Sequence, residues 1–131
     1  MIVVDTNVIA YLYLETAWTP AAERLLKRDG DWAAPMLWRS ELRNVLASEM
    51  ARRALTLEQA TAIQTEAEDL LADREFEVES RAVLELAASS RCSAYDCEFA
   101  ALAGSLGVRL FTADEQVLKA FPKLASRLAS V

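Results

Sequence analysis

The sequence predicts an α/β protein built on a parallel sheet, and three observations carry that reading. The first is the opening run Met1-Ile-Val-Val-Asp5-Thr-Asn7, continuously apolar and mostly β-branched until it stops at a carboxylate. An apolar run without alternation fits a central parallel strand covered on both faces. The second is a later run, Val108-Arg-Leu-Phe-Thr112, followed by another acid, Asp114. The third is that helical patterns of crossover length separate the strand candidates, as βαβ units require. A chain of 131 residues, 53% hydrophobic and 26% charged with only three Gly and three Pro, reads as one domain, residues 1–131, able to bury a core without staples.

Taken in order, Asp5 falls at the carboxyl end of the first strand, the edge where ligand sites gather in open α/β sheets. A carboxylate closing a buried run is costly unless paired, hydrogen-bonded or bound to a metal. Thr6 and Asn7 suit the cap of the following helix, Val8 to Leu14, which is apolar on nearly every side and reads either as deeply packed or as a partner surface. Thr19-Pro20 is an N-cap followed by proline, opening a helix that ends at Asp29-Gly30. Trp32-Ala-Ala-Pro35 follows as a short second strand.

From Met36 to about Arg53 the pattern is helical, with Trp38, Leu42, Val45, Leu46 and Met50 on its apolar stripe. Glu41 falls early in this helix, just beyond a strand end. Arg39 and Arg43 share a different face and are candidate phosphate contacts, although a solvated pair is the simpler reading. Thr56-Leu-Glu-Gln59 is a capping box opening a helix to about Ala72, with Leu57, Ala60, Ile63, Ala67, Leu70 and Leu71 on one side. Glu75-Phe-Glu-Val78 alternates as a strand, and a capped helix from Ser80 to about Ser90 follows. Ser93-Ala-Tyr-Asp96 opens the next helix, placing Asp96 at its third position and Tyr95, Phe99, Leu102, Ala103 and Leu106 on its core stripe. Gly107 ends that helix before the Val108–Thr112 strand. The remainder reads as a short helix, then Pro122 and an Ala/Leu/Ser tail whose Lys119, Lys123 and Arg127 make it the most basic part of the chain.

Two global facts restrict the chemistry. Histidine is absent, which excludes a Ser-His-Asp triad, His-based ribonuclease chemistry and a His-containing zinc site. The formal charge is -6, from 20 acidic and 14 basic residues, which argues against nucleic-acid binding through a broad basic face. That objection weakens where carboxylates hold cations. Cys92 and Cys97 lie too close for a disulfide scaffold and read as small buried apolar residues. No basic residues precede the first apolar segment, and acids interrupt it, so neither a signal peptide nor a membrane span is expected, and the cytoplasm is the expected location.

Because every helix that follows a strand of a parallel sheet starts at the carboxyl edge, Asp5, Glu41, Asp96 and Asp114 are expected to meet there. Clustered anions raise one another's pKa until a cation neutralises them. An all-oxygen donor set selects Mg²⁺ or Mn²⁺, and such ions bind phosphates and activate water toward them.

The arrangement Val3-Val4-Asp5-Thr6-Asn7, Ser40-Glu41-Leu42, Asp96-Cys-Glu-Phe-Ala100-Ala-Leu-Ala103 and Leu110-Phe-Thr112-Ala-Asp114 resembles PIN-domain ribonucleases, in the short VapC-type toxin form, across essentially the whole chain. The resemblance implies a three-layer α/β/α sandwich on a four- or five-stranded parallel sheet. It also implies Mg²⁺-dependent endoribonuclease activity, a homodimer and a cognate VapB-type antitoxin. By that resemblance Asp5, Glu41, Asp96 and Asp114 are the metal-binding and catalytic carboxylates, with Thr6, Asn7 and Thr112 in support. Where many relatives carry a further acid shortly after the last aspartate, Glu115 and then Gln116 stand here. The expected mechanism has Asp5, Asp96 and Asp114 holding one ion, assisted by Glu41, while activated water attacks an RNA phosphodiester.

Other classes compete. A PIN nuclease of RNA maturation shares the motifs above. A non-catalytic PIN-like binding scaffold gains from the apolar Val8 to Leu14 helix and the negative charge, but retention of all four acids argues against it. A Mg²⁺-dependent phosphatase of the haloacid dehalogenase type needs a second Asp where Asn7 stands, and a receiver domain needs paired acids at the first strand end.

Overall fold

The computed structural model describes residues 1–131. Its strands are β1 (Ile2–Val4), β2 (Trp32–Pro35), β3 (Glu75–Phe76), β4 (Leu110–Thr112) and β5 (Ala125–Arg127). All pair in parallel, in the order β3-β2-β1-β4-β5. Central β1 is buried at each of its residues, with Val3 opposite Ala33 on one side and Leu110 on the other. Burial on both faces is what an unbroken Ile-Val-Val run is suited to.

Seven helices flank the sheet: α1 (Thr6–Tyr13), α2 (Thr19–Arg28), α3 (Leu37–Ala51), α4 (Leu57–Leu70), α5 (Ser80–Ser89), α6 (Ala94–Leu106) and α7 (Glu115–Ala120). Helix α6 packs against β1, β2 and β4 with α5 against it, while α3 meets α1, α4 and β2. Trp32, Trp38, Phe99, Leu42 and Leu110 are fully buried in one contiguous core. Local chemistry sets the boundaries. Thr56 and Gln59 form the reciprocal capping box, and Gly107 closes α6 at φ 67°, a left-handed conformation that favours glycine.

The chain leaves β1 for β2 on one side and returns to β4 on the other, so the sheet order reverses at β1/β4. That switch point is where the carboxyl ends of two strands leave a crevice.

Several expectations are corrected. The tail contributes β5, whose backbone pairs with β4 although its sequence carries little strand signal. The third strand stops at Phe76 instead of Val78. Trp18, not Thr19, is the N-cap residue of α2; the Thr19 hydroxyl instead donates to the carbonyls of Tyr11 and Leu14, fastening the preceding turn. Ser80 is the first residue of α5, whose N-cap is Glu79. Tyr95 and Leu57, both placed on core stripes by periodicity, are 63% and 65% exposed. Tyr11 to Leu14 are half-buried against the core, with Tyr11 stacked on Trp18 at 5.8 Å between ring centroids.

Candidate active site

Asp5 is the N-cap of α1. Its Oδ1 accepts from the Thr6 backbone N–H at 2.8 Å and its Oδ2 from the Thr112 hydroxyl at 2.8 Å, leaving the residue 8% exposed. Burial pushes its pKa up to about 6; the hydrogen bond from Thr112 opposes this, and the charges of Asp96 and Glu41 add to it.

Thr112, wholly buried at the end of β4, ties the two strand ends together. Its hydroxyl oxygen accepts from the Asp114 N–H at 3.0 Å and from the Asn7 amide at 3.5 Å, while the Ala113 N–H donates to Asn7 Oδ1 at 3.4 Å. A β-branched residue suits the strand, and a hydroxyl is needed because an apolar side chain there would strand the Asp114 N–H and leave Asp5 Oδ2 without its donor.

Glu41 enters from α3 and accepts from the Thr6 hydroxyl at 2.8 Å. Burial raises its pKa, the Thr6 bond opposes the rise, and Asp96 and Glu98 add to it. Asp96 stands in the first turn of α6, where its N–H is capped by the Ser93 hydroxyl at 3.1 Å. Its pKa is raised by burial and then by Asp114. Asp114 caps α7 by accepting from the Gln116 N–H at 2.8 Å.

These four carboxylates, from four distant places in the chain, line one cavity of about 440 Å³ together with Thr6 and Asn7. None forms an ion pair with a Lys or Arg. Glu41 and Asp96 therefore lie on the same side of the molecule as Asp5 and Asp114. The donor set fits a divalent cation such as Mg²⁺: it is all oxygen, contains no histidine, and its like charges share a cavity without a protein cation. No three acidic side chains stand at the mutual spacing of a closed coordination shell. Mg²⁺ typically retains several waters and takes only one or two carboxylates directly, so an open arrangement suits it better than a tight cage.

Of the two arginines proposed from sequence, Arg39 is corrected. Its Nε and Nη2 donate to Glu75 at 2.6 and 2.7 Å and its Nη1 to Glu68 at 2.9 Å, so it locks α3 to β3 and α4 instead of facing the cavity. Arg43 is exposed and makes no ion pair. The cavity also includes Ser40, Asn44 and Tyr95, none of them expected at the site from sequence. Asn44 was within reach of that reasoning, since i+3 spacing places it on the face of Glu41. Glu98, which raises Glu41, carried no sequence signal.

An acidic crevice at the switch point of a parallel sheet, built from strand-end and early-helix carboxylates, has the placement of a ligand site in open α/β sheets. Residues 2–124 match the PIN domain model, and the chain belongs to the PIN domain family, whose members are generally nucleases. Solved structures share the fold. FitAcB from Neisseria gonorrhoeae superposes with a TM-score of 0.79 at 17% identity, covering 100% of both chains. PAE2754 from Pyrobaculum aerophilum gives 0.71 at 23%, covering 98% of this chain and 90% of its own. FitAB bound to IR36 DNA fragment gives 0.73 at 18%, covering 98% and 95%. No curated protein matches the chain by sequence.

Proposed function

We propose that the protein is a Mg²⁺-dependent endoribonuclease acting as the toxin of a VapBC-type toxin–antitoxin pair. The observation that carries the nuclease chemistry is the convergence of Asp5, Glu41, Asp96 and Asp114 on one cavity without a cationic side chain to balance them. Asp5, Asp96 and Asp114 are the residues that would hold Mg²⁺ or Mn²⁺, with Glu41 assisting. When bound, such an ion neutralises phosphate charge and makes water more acidic. The chain's own part is positional. Thr112 and the Thr6 N–H fix both oxygens of Asp5, the Thr6 hydroxyl fixes Glu41, and Asn7 holds the β4 exit against α1. Held this way, Asp5 and Glu41 are oriented before the ion binds, and the phosphodiester approaches from the open face. Exposed Arg43, adjacent to the cavity-lining Asn44, is a candidate phosphate contact.

The toxin role is supported by the resemblance of the four acidic motifs to short VapC-type PIN domains, with the family match over residues 2–124. It implies a cognate VapB-type antitoxin that blocks the cavity, a homodimer and a cytoplasmic setting; no helix is long and apolar enough to cross a membrane. The test is incubation with structured and unstructured RNA, with Mg²⁺ or EDTA, for wild type and Asp5→Asn. Cleavage that requires the ion and is abolished in Asp5→Asn is expected. Asp5→Asn cutting as fast as wild type overturns the site. Wild type that cuts RNA but does not arrest growth on induction favours an RNA-maturation role over the toxin.

A further inference from the structure

A second cavity, of about 690 Å³, opens beside the acidic one, between the end of α5, the turn into α6, and α7. Arg91 and Lys119 line it, and no carboxylate does. Neither cation forms an ion pair, and the nearby Glu115 is already engaged by Arg127. In a chain with 20 acidic and 14 basic residues, a concave surface whose only charged side chains are positive runs against the net charge.

Gln116 joins the two cavities. Its N–H donates to Asp114 Oδ1 at 2.8 Å, and its Nε2 donates to the Arg91 carbonyl at 2.9 Å. The cationic cavity thus begins one hydrogen-bonded residue away from a carboxylate of the acidic one. Tyr95 lies on the segment that also carries Arg91 and lines the acidic cavity; its side chain makes no hydrogen bond, and it is 63% exposed. An aromatic ring left open at the rim of a charged cavity offers a stacking surface.

We propose that the two cavities form one track for single-stranded nucleic acid: a base stacks on Tyr95, a phosphate faces the carboxylates, and flanking phosphates lie against Arg91 and Lys119. The track rests on the nuclease reading of the acidic cavity, and extends it by naming Tyr95, Arg91 and Lys119 as the residues that hold the strand and the side of the cavity on which it runs. A polyanion is repelled by a net charge of -6, so its approach depends on the few places where unpaired cations gather. A base lies on an aromatic side chain only when it is out of a duplex stack, which selects unpaired nucleic acid.

The test is fluorescence anisotropy of a short labelled single-stranded RNA in Ca²⁺, with the RNA checked intact on a gel, so that a hard cation balances the carboxylates and binding is read without cleavage. Arg91→Ala/Lys119→Ala is expected to weaken binding about ten-fold and to reduce the slope of log affinity against log salt by roughly 1.4, two single-strand phosphate contacts. Tyr95→Ala is expected to weaken it by at least roughly five-fold, the lower end for one stacked base, while Tyr95→Phe retains it. A duplex of the same sequence should bind more weakly than the single strand. All three positions are exposed, and an unchanged melting temperature confirms that the variants fold. An unaltered double variant, equal binding of duplex, or wild type that binds no RNA overturns the track. Wild type that binds through Arg91 and Lys119 but never cuts with Mg²⁺ leaves the track standing and removes the nuclease reading. Cleavage by a double variant of undiminished affinity does the reverse.

Discussion

The Thr6 hydroxyl on α1 donates to Glu41 Oε1 on α3 at 2.8 Å, spanning 35 positions of sequence. Thr6 also gives its N–H to Asp5, so one buried residue aims two carboxylates into the same cavity. Thr6→Val keeps the shape and removes only the hydroxyl. Since that bond holds the Glu41 pKa down against burial, the variant should titrate higher at Glu41, visible by carboxyl-carbon NMR. Loss of about 1 kcal/mol of orientation corresponds to a Mg²⁺ affinity several-fold weaker by calorimetry.

Asp5→Asn should stabilise the metal-free protein at neutral pH. The folded pKa of Asp5 is raised from 3.8 to about 6, so the folded state binds the proton more tightly than the unfolded chain. Wild-type stability therefore falls as pH rises from about 4 to about 6, and above that the full cost, about 3 kcal/mol at 1.36 kcal/mol per pKa unit, is present. Thermal melts in EDTA should place Asp5→Asn above wild type at pH 8, with the gap closing toward pH 4. Saturating Mg²⁺ should reverse the order, because only wild type gains from the ion.

Proton competition sets a second pH dependence. Below about 6 the Asp5 carboxyl is protonated in the metal-free protein, so apparent Mg²⁺ affinity should fall up to about ten-fold for each pH unit lost. Calorimetric titrations between pH 5 and 8 check this; a flat profile would remove Asp5 from the ligand set.

Glu75 should behave as a structural residue. Its carboxylate accepts from Arg39 twice and from Trp38 Nε1 at 2.8 Å, and its pKa is held below 4.5 chiefly by the Arg39 bonds. Glu75→Ala leaves the buried indole N–H and the guanidinium without this partner, a cost of about 2 kcal/mol after discounting for partial exposure. A depressed folded pKa gives stability that is present above the unfolded value and is lost as pH falls, so the gap between wild type and variant should close below about pH 4. RNA affinity and its salt dependence should be unchanged by Arg39→Ala once melting is accounted for, because Arg39 is not at the cavity.

The sequence alone determined the class of the fold and the edge on which the acids gather. Unbroken apolar runs at Ile2–Val4 and Leu110–Thr112 specify buried parallel strands, and in such a sheet strand ends and helix starts share one edge. Asp5, Glu41 and Asp114 could thus be brought together on paper, whereas Asp96 lies on a helix that follows α5 and not a strand, so its place depends on how α6 packs. The caps at Thr56, Ser93 and Gly107 were legible because their partners are near in sequence, though the same local signals misplaced the caps of α2 and α5. What the tertiary structure decided was everything that depends on a distant neighbour. Periodicity places Tyr95 on an apolar stripe, but whether another element covers that stripe is a question of packing, and Tyr95 is left open. Ala125–Arg127 becomes a strand because β4 supplies backbone partners, not because its own side chains demand it. Arg39 and Arg43 are equivalent in the one-dimensional pattern, and only the return of Glu75 on β3 commits the first and leaves the second free. The Thr6–Glu41 bond belongs to the same class: each residue is ordinary in its local context, and their meeting depends on how α1 and α3 cross.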